Sequence, residues 1–280
     1  MKEVLYTPDS RIREPGRLIR EFFEGLFGSR DLGWQLFLRD FKAKYRQSLL
    51  GFAWAVIPAL AAGIGLTLAK NAQIFNVGET PIPYAAYVML SMTIWQTFRA
   101  SVDLPLNALA VARPMLSKIF VPPEALFLAK LGEVLVDVGV RLIFVLGLFL
   151  WFGIPFSWGL LLAAPALVCL ILFGVGIGLV LAPFSLLYQD VQRAVVFFMN
   201  ILLFLTPVIY PIPTEGKFAL LISLNPVTPL LTTTRELATG MPVTDPISFL
   251  VAAGVGMVIF FVAALFFRLV QPILVERFSA

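Results

Sequence analysis

Six stretches of the chain are continuously apolar over helix-forming lengths, at about 50–70, 82–105, 125–151, 160–183, 194–211 and 247–268. A helix that crosses a bilayer needs about 20 mainly apolar residues, so the pattern predicts an all-α integral membrane protein with six transmembrane helices. They would form one domain over residues 50–268, between a polar region at 1–49 and a short tail at 269–280. The first apolar stretch follows 49 polar and basic residues, too late for a cleaved secretory signal, so it is expected to stay in the membrane.

The segments between the runs are patterned as well. After Pro15, the residues Leu18, Ile19, Phe22, Phe23, Leu26 and Phe27 recur on one helical face while Arg17, Arg20, Glu21 and Glu24 take the other, which reads as an amphipathic interface helix. A second stripe, Trp34, Leu38, Phe41 and Tyr45, has Arg39, Lys42 and Arg46 on neighbouring faces and runs on to a bend expected near Gly51, with Trp54 at headgroup level. Between the second and third runs, about 106–124, the chain is too polar to cross a bilayer. Pro114 can start a short helix through Ser117 and Phe120, and Pro122 with Pro123 can end it. A docking element and an ordinary proline turn both fit these residues.

Between the fifth and sixth runs, about 211–246, the chain holds six prolines, yet Phe218 to Leu224 is apolar and Leu230 to Leu237 can form another short helix. Such a hairpin, broken at Asn225 and Pro226, is expected as re-entrant half-helices, because broken backbone is tolerated at membrane depth only beside protein or a wet cavity. That arrangement suits a gate over a pathway.

Charge gives the orientation. Ten of the 21 lysines and arginines precede Leu49; with six spans they share a side with Arg113, Lys118, Lys130, Arg193, Arg268 and Arg277, against Lys70, Lys217 and Arg235 opposite. Basic loops are retained in the cytoplasm, so both termini are expected there. The net charge of +4 then reports topology, and no nucleic-acid partner is inferred from it. Only 14% of residues are charged, against about 25% in soluble domains.

Inside the third run Glu133, Asp137 and Arg141 recur every fourth residue, with Lys130 one turn earlier. A mid-membrane arginine costs about 2.5–3.5 kcal/mol even on the lenient insertion scale, so Arg141 is expected to be paired, most simply with Asp137. A polar strip along a conduit and an ion pair joining helices are the two readings. Trp54, Tyr87, Trp95 and Tyr210 are candidate pathway aromatics, while Gly174 and Gly178 make a GxxxG pair suited to close helix packing. The chain has no histidine, one cysteine (Cys169) and no G-x-x-x-x-G-K-[ST] loop. Histidine-based catalysis, an intramolecular disulfide and Walker-type ATP binding by this chain are therefore excluded, and it is read as a non-enzyme.

The motifs taken together resemble the membrane subunit of type-two ABC exporters for bacterial surface polysaccharides (O-antigen, capsule and teichoic-acid polymers). Arg39, Asp40, Lys42, Tyr45, Arg46, Ser48, Leu50, Gly51 and Trp54 match the pattern that enters the first helix. Lys118 with Pro122 to Glu124, Tyr188 with Asp190 and Val191, Thr206 to Val208 with Tyr210 and Pro211, and Asn225 and Pro226 with Arg235 match later elements in order. Ile57, Val121 and Gln189 depart from it.

The resemblance implies a homodimeric conduit in the bacterial inner membrane, exporting a lipid-linked polysaccharide with two separate ATPase subunits that bind ATP and Mg; the chain itself would hold no cofactor. It further implies ATPase coupling through Arg113, Met115, Leu116, Ser117, Lys118, Phe120, Pro122 and Glu124. A cytoplasmic interface would include Arg39, Asp40, Lys42, Tyr45 and Arg46, and a periplasmic gate Pro207, Tyr210, Pro211, Asn225, Pro226 and Arg235. The other readings are a secondary transporter using Glu133, Asp137 and Arg141, a transferase acting on lipid-linked sugars, and an ABC exporter of a small lipid or drug.

Overall fold

The computed structural model describes residues 24–25, 27–46, 49–74, 77–116, 123–188, 190–212 and 216–279. The first amphipathic stripe, from Pro15 to Phe23 with Leu26, lies outside the described residues. Among those described there are nine α-helices and no strand. They are α1 (Arg30–Arg46), α2 (Ile57–Asn71), α3 (Tyr84–Leu116), α4 (Pro123–Phe152), α5 (Gly159–Leu187), α6 (Asp190–Phe204), α7 (Lys217–Leu224), α8 (Val227–Thr239) and α9 (Pro246–Ser279).

Each of the six apolar stretches contains a helix, but the helices differ in length. Helices α4, α5 and α9 contain segments of 29, 29 and 25 residues that are long and apolar enough to cross a membrane. Helices α2 and α6 have 15 residues each, about 22 Å at 1.5 Å per residue, short of the roughly 30 Å hydrocarbon core. A 3-10 turn at Gly51–Ala55 precedes α2, and Gly51 takes a φ of 49° there, so the predicted bend falls at the residue best able to make it. Helix α3 departs from expectation in the other direction. Pro114 starts no separate helix; α3 runs through Pro105 and Pro114 to Leu116, 33 residues and so about 50 Å.

The centre of the bundle is α5, apolar on every face, which packs against α3, α6, α8 and α9. A helix touched on several sides needs small residues where backbones meet. A Cβ at Gly178 would stand 2.3 Å from the Val102 carbonyl of α3, and one at Gly174 2.9 Å from Ser101. On another face Gly176 admits the backbone of Phe260, and Gly256 of α9 receives Phe173. Phe98 of α3 stacks on Phe173 at 6.1 Å between these contacts. The predicted GxxxG pair therefore serves the α3–α5 contact inside this chain.

A smaller apolar cluster joins α1 to α4 and α3 through Leu36, Phe37, Ala108, Ala125, Leu126 and Ala129. Outward, α4, α6, α7 and α9 expose large apolar side chains such as Leu142, Ile143, Phe197, Phe218 and Val258, the surface a lipid environment would cover. The α8–α9 connection is closed by Glu236, whose carboxylate accepts from the Thr244 amide at 3.0 Å and its hydroxyl at 2.6 Å. Asp245 then caps α9 by accepting from the Ser248 amide, and hydrogen bonds from the Ser248 hydroxyl and amide hold its carboxyl below the usual carboxylate range.

Replacing Gly178 with alanine should lower the unfolding midpoint in detergent, at an overpacking cost of about 1–3 kcal/mol. Gly147→Ala, where no atom lies within 4 Å of the added carbon, should leave it unchanged or slightly raised. Equal losses in the two variants would contradict the α3–α5 contact.

Candidate functional site

Helix α6 ends at Phe204, and the chain continues from Leu205 to Tyr210 in irregular turns, with the Leu205 amide still bonding back to Ile201 O at 3.2 Å and the Thr206 amide to Leu203 O at 3.4 Å. Pro207 has no amide to donate, and a helix end buried in apolar surroundings leaves carbonyls without partners. Side chains from three elements supply them. Thr206 Oγ1 donates back to Leu202 O at 2.7 Å, and Asn225 Nδ2 donates to Leu205 O at 3.2 Å and Thr206 Oγ1 at 2.9 Å. The Arg235 guanidinium donates to Pro207 O at 2.9 Å, Tyr84 Oη to Ile209 O at 3.0 Å and Tyr87 Oη to Tyr210 O at 3.0 Å. Tyr210 Oη in turn donates to Phe204 O.

Arg235 is the centre of this cage. It is buried in α8, and its guanidinium carbon lies 4.2 Å from the centroid of the Tyr87 ring, a cation–π contact in a dry setting. It also donates to Ser91 Oγ at 3.0 Å. Helix α8 is aimed by Asn225, whose Oδ1 accepts from the Val227 amide at 3.0 Å while Pro226 stands at the N-cap. One asparagine thereby satisfies both the broken end of α6 and the start of α8.

Of the six residues grouped as a gate, Pro207, Tyr210, Asn225 and Arg235 share this cage, Pro226 opens α8, and Pro211 lies against Gly78. Tyr87, a candidate for the pathway, is instead 1% exposed beneath Arg235. Ser91 and Tyr84 were missed, and Thr206 was named only as a motif residue beside Pro207. Tyr84, Tyr87 and Ser91 fall on one face of α3 at helical spacing, a signal that could have grouped them.

Elsewhere, Trp95 is buried against Phe98, and Trp54 is exposed on the 3-10 turn. Arg141 is buried and donates to Thr97 Oγ1 at 3.3 Å and Ala55 O at 3.4 Å, with Asp137 as an electrostatic neighbour one turn away. Its hydrogen bonds thus tie α4 to α3 and to the 3-10 turn, in addition to the Asp137 charge along α4. Glu133 pairs with Lys130, which also lies 3.6 Å from Asp40 of α1.

In α1, Arg39 pairs with Asp40 at 2.8 Å, and Lys42 and Arg46 are exposed. Tyr45 belongs to the same helix, its side chain outside the description. Arg113, Met115 and Leu116 end α3; Ser117, Lys118, Phe120 and Pro122 lie outside the described residues; Glu124, in the first turn of α4, is buried.

Comparison with known proteins bears on the same span. The family model described as ABC-2 type transporter matches residues 32–239, from α1 to the end of α8 and so across the whole cage. An O-antigen export system permease protein RfbA of Myxococcus xanthus is 26% identical over 256 residues, covering 90% of this chain and 95% of its own length. A protein of the same name from Klebsiella pneumoniae is 25% identical over 209 residues, covering 71% of this chain and 76% of its own.

The cage predicts a graded response at Tyr87. Tyr87→Phe keeps the ring under Arg235 but removes the hydroxyl, costing about 1 kcal/mol. Tyr87→Leu also loses the cation–π contact, about 2 kcal/mol when desolvated. Unfolding midpoints in detergent should fall in that order, and equal midpoints for the two variants would contradict the Arg235–Tyr87 contact.

Proposed function

The chain belongs to the ABC-2 type transporter family, and from that premise we propose that it is the membrane subunit of an ATP-driven exporter of a lipid-linked, O-antigen-like polysaccharide. Members of this family are multi-pass membrane components that work with a separate ABC ATPase. The observation that carries the reading is the family match over residues 32–239; the names of the Myxococcus and Klebsiella relatives support the cargo class. In this reading two copies form one conduit in the bacterial inner membrane, each docked on one of two ATPase subunits that bind ATP and Mg, with both termini cytoplasmic.

Six crossings follow if α2 with its 3-10 turn and α6 with the 205–210 segment each traverse the bilayer alongside α3, α4, α5 and α9. Helices α7 and α8 then dip back from the far side as the re-entrant gate. Their breaks are sheltered as membrane-depth backbone requires, by the cage of Asn225, Arg235, Tyr84 and Tyr87. The stretch 113–124 is the coupling element, and α1 with Arg39, Asp40, Lys42, Tyr45 and Arg46 flanks the ATPase.

Helix α3 supplies a mechanical route between the two ends. Leu116 lies at the end that meets the coupling stretch, while Tyr84 and Tyr87, at the other, hold the helix break that Arg235 clamps. A displacement applied to one end of a rigid helix of about 50 Å is delivered to the other. The polar strip of α4 supports this architecture through Arg141 and Lys130, each of which contacts a neighbouring element.

Gentle extraction of the tagged protein from its native membrane, followed by mass measurement and an ATP hydrolysis assay, tests the reading. A stoichiometric ATPase in a two-plus-two complex is expected, with lipid-linked polymer accumulating inside cells that lack this chain. A stable protein that purifies without an ATPase would contradict the class; an intact complex whose loss leaves polymer export normal would contradict the cargo.

A further inference from the structure

The start of α4 carries a set of long-range contacts separate from the cage. Glu124 accepts a hydrogen bond from the guanidinium of Arg268 in α9, 144 residues away. One turn later Phe127 meets Phe267 edge to face, with centroids 5.1 Å apart and planes at 89°. Further along the same helix Lys130 reaches Asp40 of α1, and Phe37 packs where Gly132 leaves room for it. The first turns of α4 are therefore held to α9 and to α1 together.

Two observations separate Glu124 from a residue that docks a partner. Its side chain is only 9% exposed, with its carboxylate already engaged by Arg268. The segment ahead of α1 also comes down on it, since a Cβ at Gly25 would lie 3.3 Å from Glu124 Oε1. An ion pair at this depth is costly to break by removing one member, because the other charge is left with poor solvation. The neighbouring edge-to-face rings fix the spacing of the two helices. The pair is thus suited to hold α4 and α9 in register.

We propose that Glu124 is a positioning residue: through Arg268 it fastens the first turn of α4 to α9, so that a push received at the start of α4 moves both helices. The proposal rests on the reading that this end of the molecule meets a partner ATPase, and it moves Glu124 from the partner surface to a tie inside the chain. The displacement then reaches α9 directly, in parallel with the route along α3.

A charge exchange in the complex with its co-purified ATPase, held in lipid nanodiscs, tests this with Arg268→Glu, Glu124→Arg and the two combined. Unfolding midpoints report the tie: each single variant should lose stability and the double recover most of it, whereas losses that simply add would overturn the tie. ATP hydrolysis reports its role: each single should lower kcat roughly tenfold, with KM for ATP and the amount of bound ATPase unchanged, and the double should recover. Wild-type kcat in both singles would overturn the proposal. So would a loss of bound ATPase in Glu124→Arg that Arg268→Glu fails to repair, because that places Glu124 at the partner. If the reversals do not reach the membrane, Arg268→Lys, which keeps charge without the planar fork, should give an intermediate kcat; an unchanged one would overturn the proposal. A wild-type chain that binds no ATPase would instead remove the exporter reading, and with it the transmission role, while the midpoints still decide the tie.

Discussion

A helix that breaks inside an apolar body must find hydrogen-bond partners for its freed carbonyls, and the break after Phe204 finds them in Arg235, Asn225, Tyr84 and Tyr87. Burying an unpaired cation would be prohibitive in such surroundings, yet Arg235 meets a tyrosine face, a serine hydroxyl and a carbonyl, all of which favour positive charge. The same contacts that make the charge tolerable also join three segments far apart in sequence. The positions of α6, α7 and α8 relative to α3 follow from them. A gate built on this segment would consequently move as a unit with the end of α3, because separating the two exposes several unsatisfied groups at once.

The other end of the molecule uses a different chemistry for the same purpose. There Asp40, Lys130, Glu133, Glu124 and Arg268 connect α1, α4 and α9 by ion pairs flanked by aromatic and small residues. Between the two ends, α5 offers no charge but close approach, with Gly174, Gly176 and Gly178 turned toward two neighbours. The result is a bundle in which α5 holds by packing, while directional bonds join the ends and, through Arg141, tie α4 to α3 and the 3-10 turn. That division suits a protein that passes motion along its length.

Much of this was legible in the sequence because hydrophobic runs and prolines act locally. The apolar runs marked the helices, Gly51 marked the bend, and Asn225 with Pro226 marked the boundary between α7 and α8. Pairings across long separations were not legible in the same way. Tyr87 reads as one more membrane aromatic until Arg235, Pro207 and Tyr210 are brought beside it, and nothing local to Glu124 points to Arg268. Arg141 has the Asp137 charge one turn away, as its spacing implies, but its hydrogen bonds to Thr97 and Ala55 on neighbouring elements have no local signal. Pro114 reads as a helix start because proline favours first turns, yet α3 continues through it. That a single helix, α3, runs from the cage at Tyr84 and Tyr87 to Leu116 could not be read from local pattern.

Structures in nanodiscs with the proposed ATPase partner, with and without a non-hydrolysable ATP analogue, would follow Arg235 against Tyr87 and the Pro207 carbonyl in both states. These contacts should persist while the 205–210 segment and the Tyr84 end of α3 shift together. A nucleotide-bound state in which the segment parts from α3, with Arg235 withdrawn from the Tyr87 ring, would contradict this joint movement.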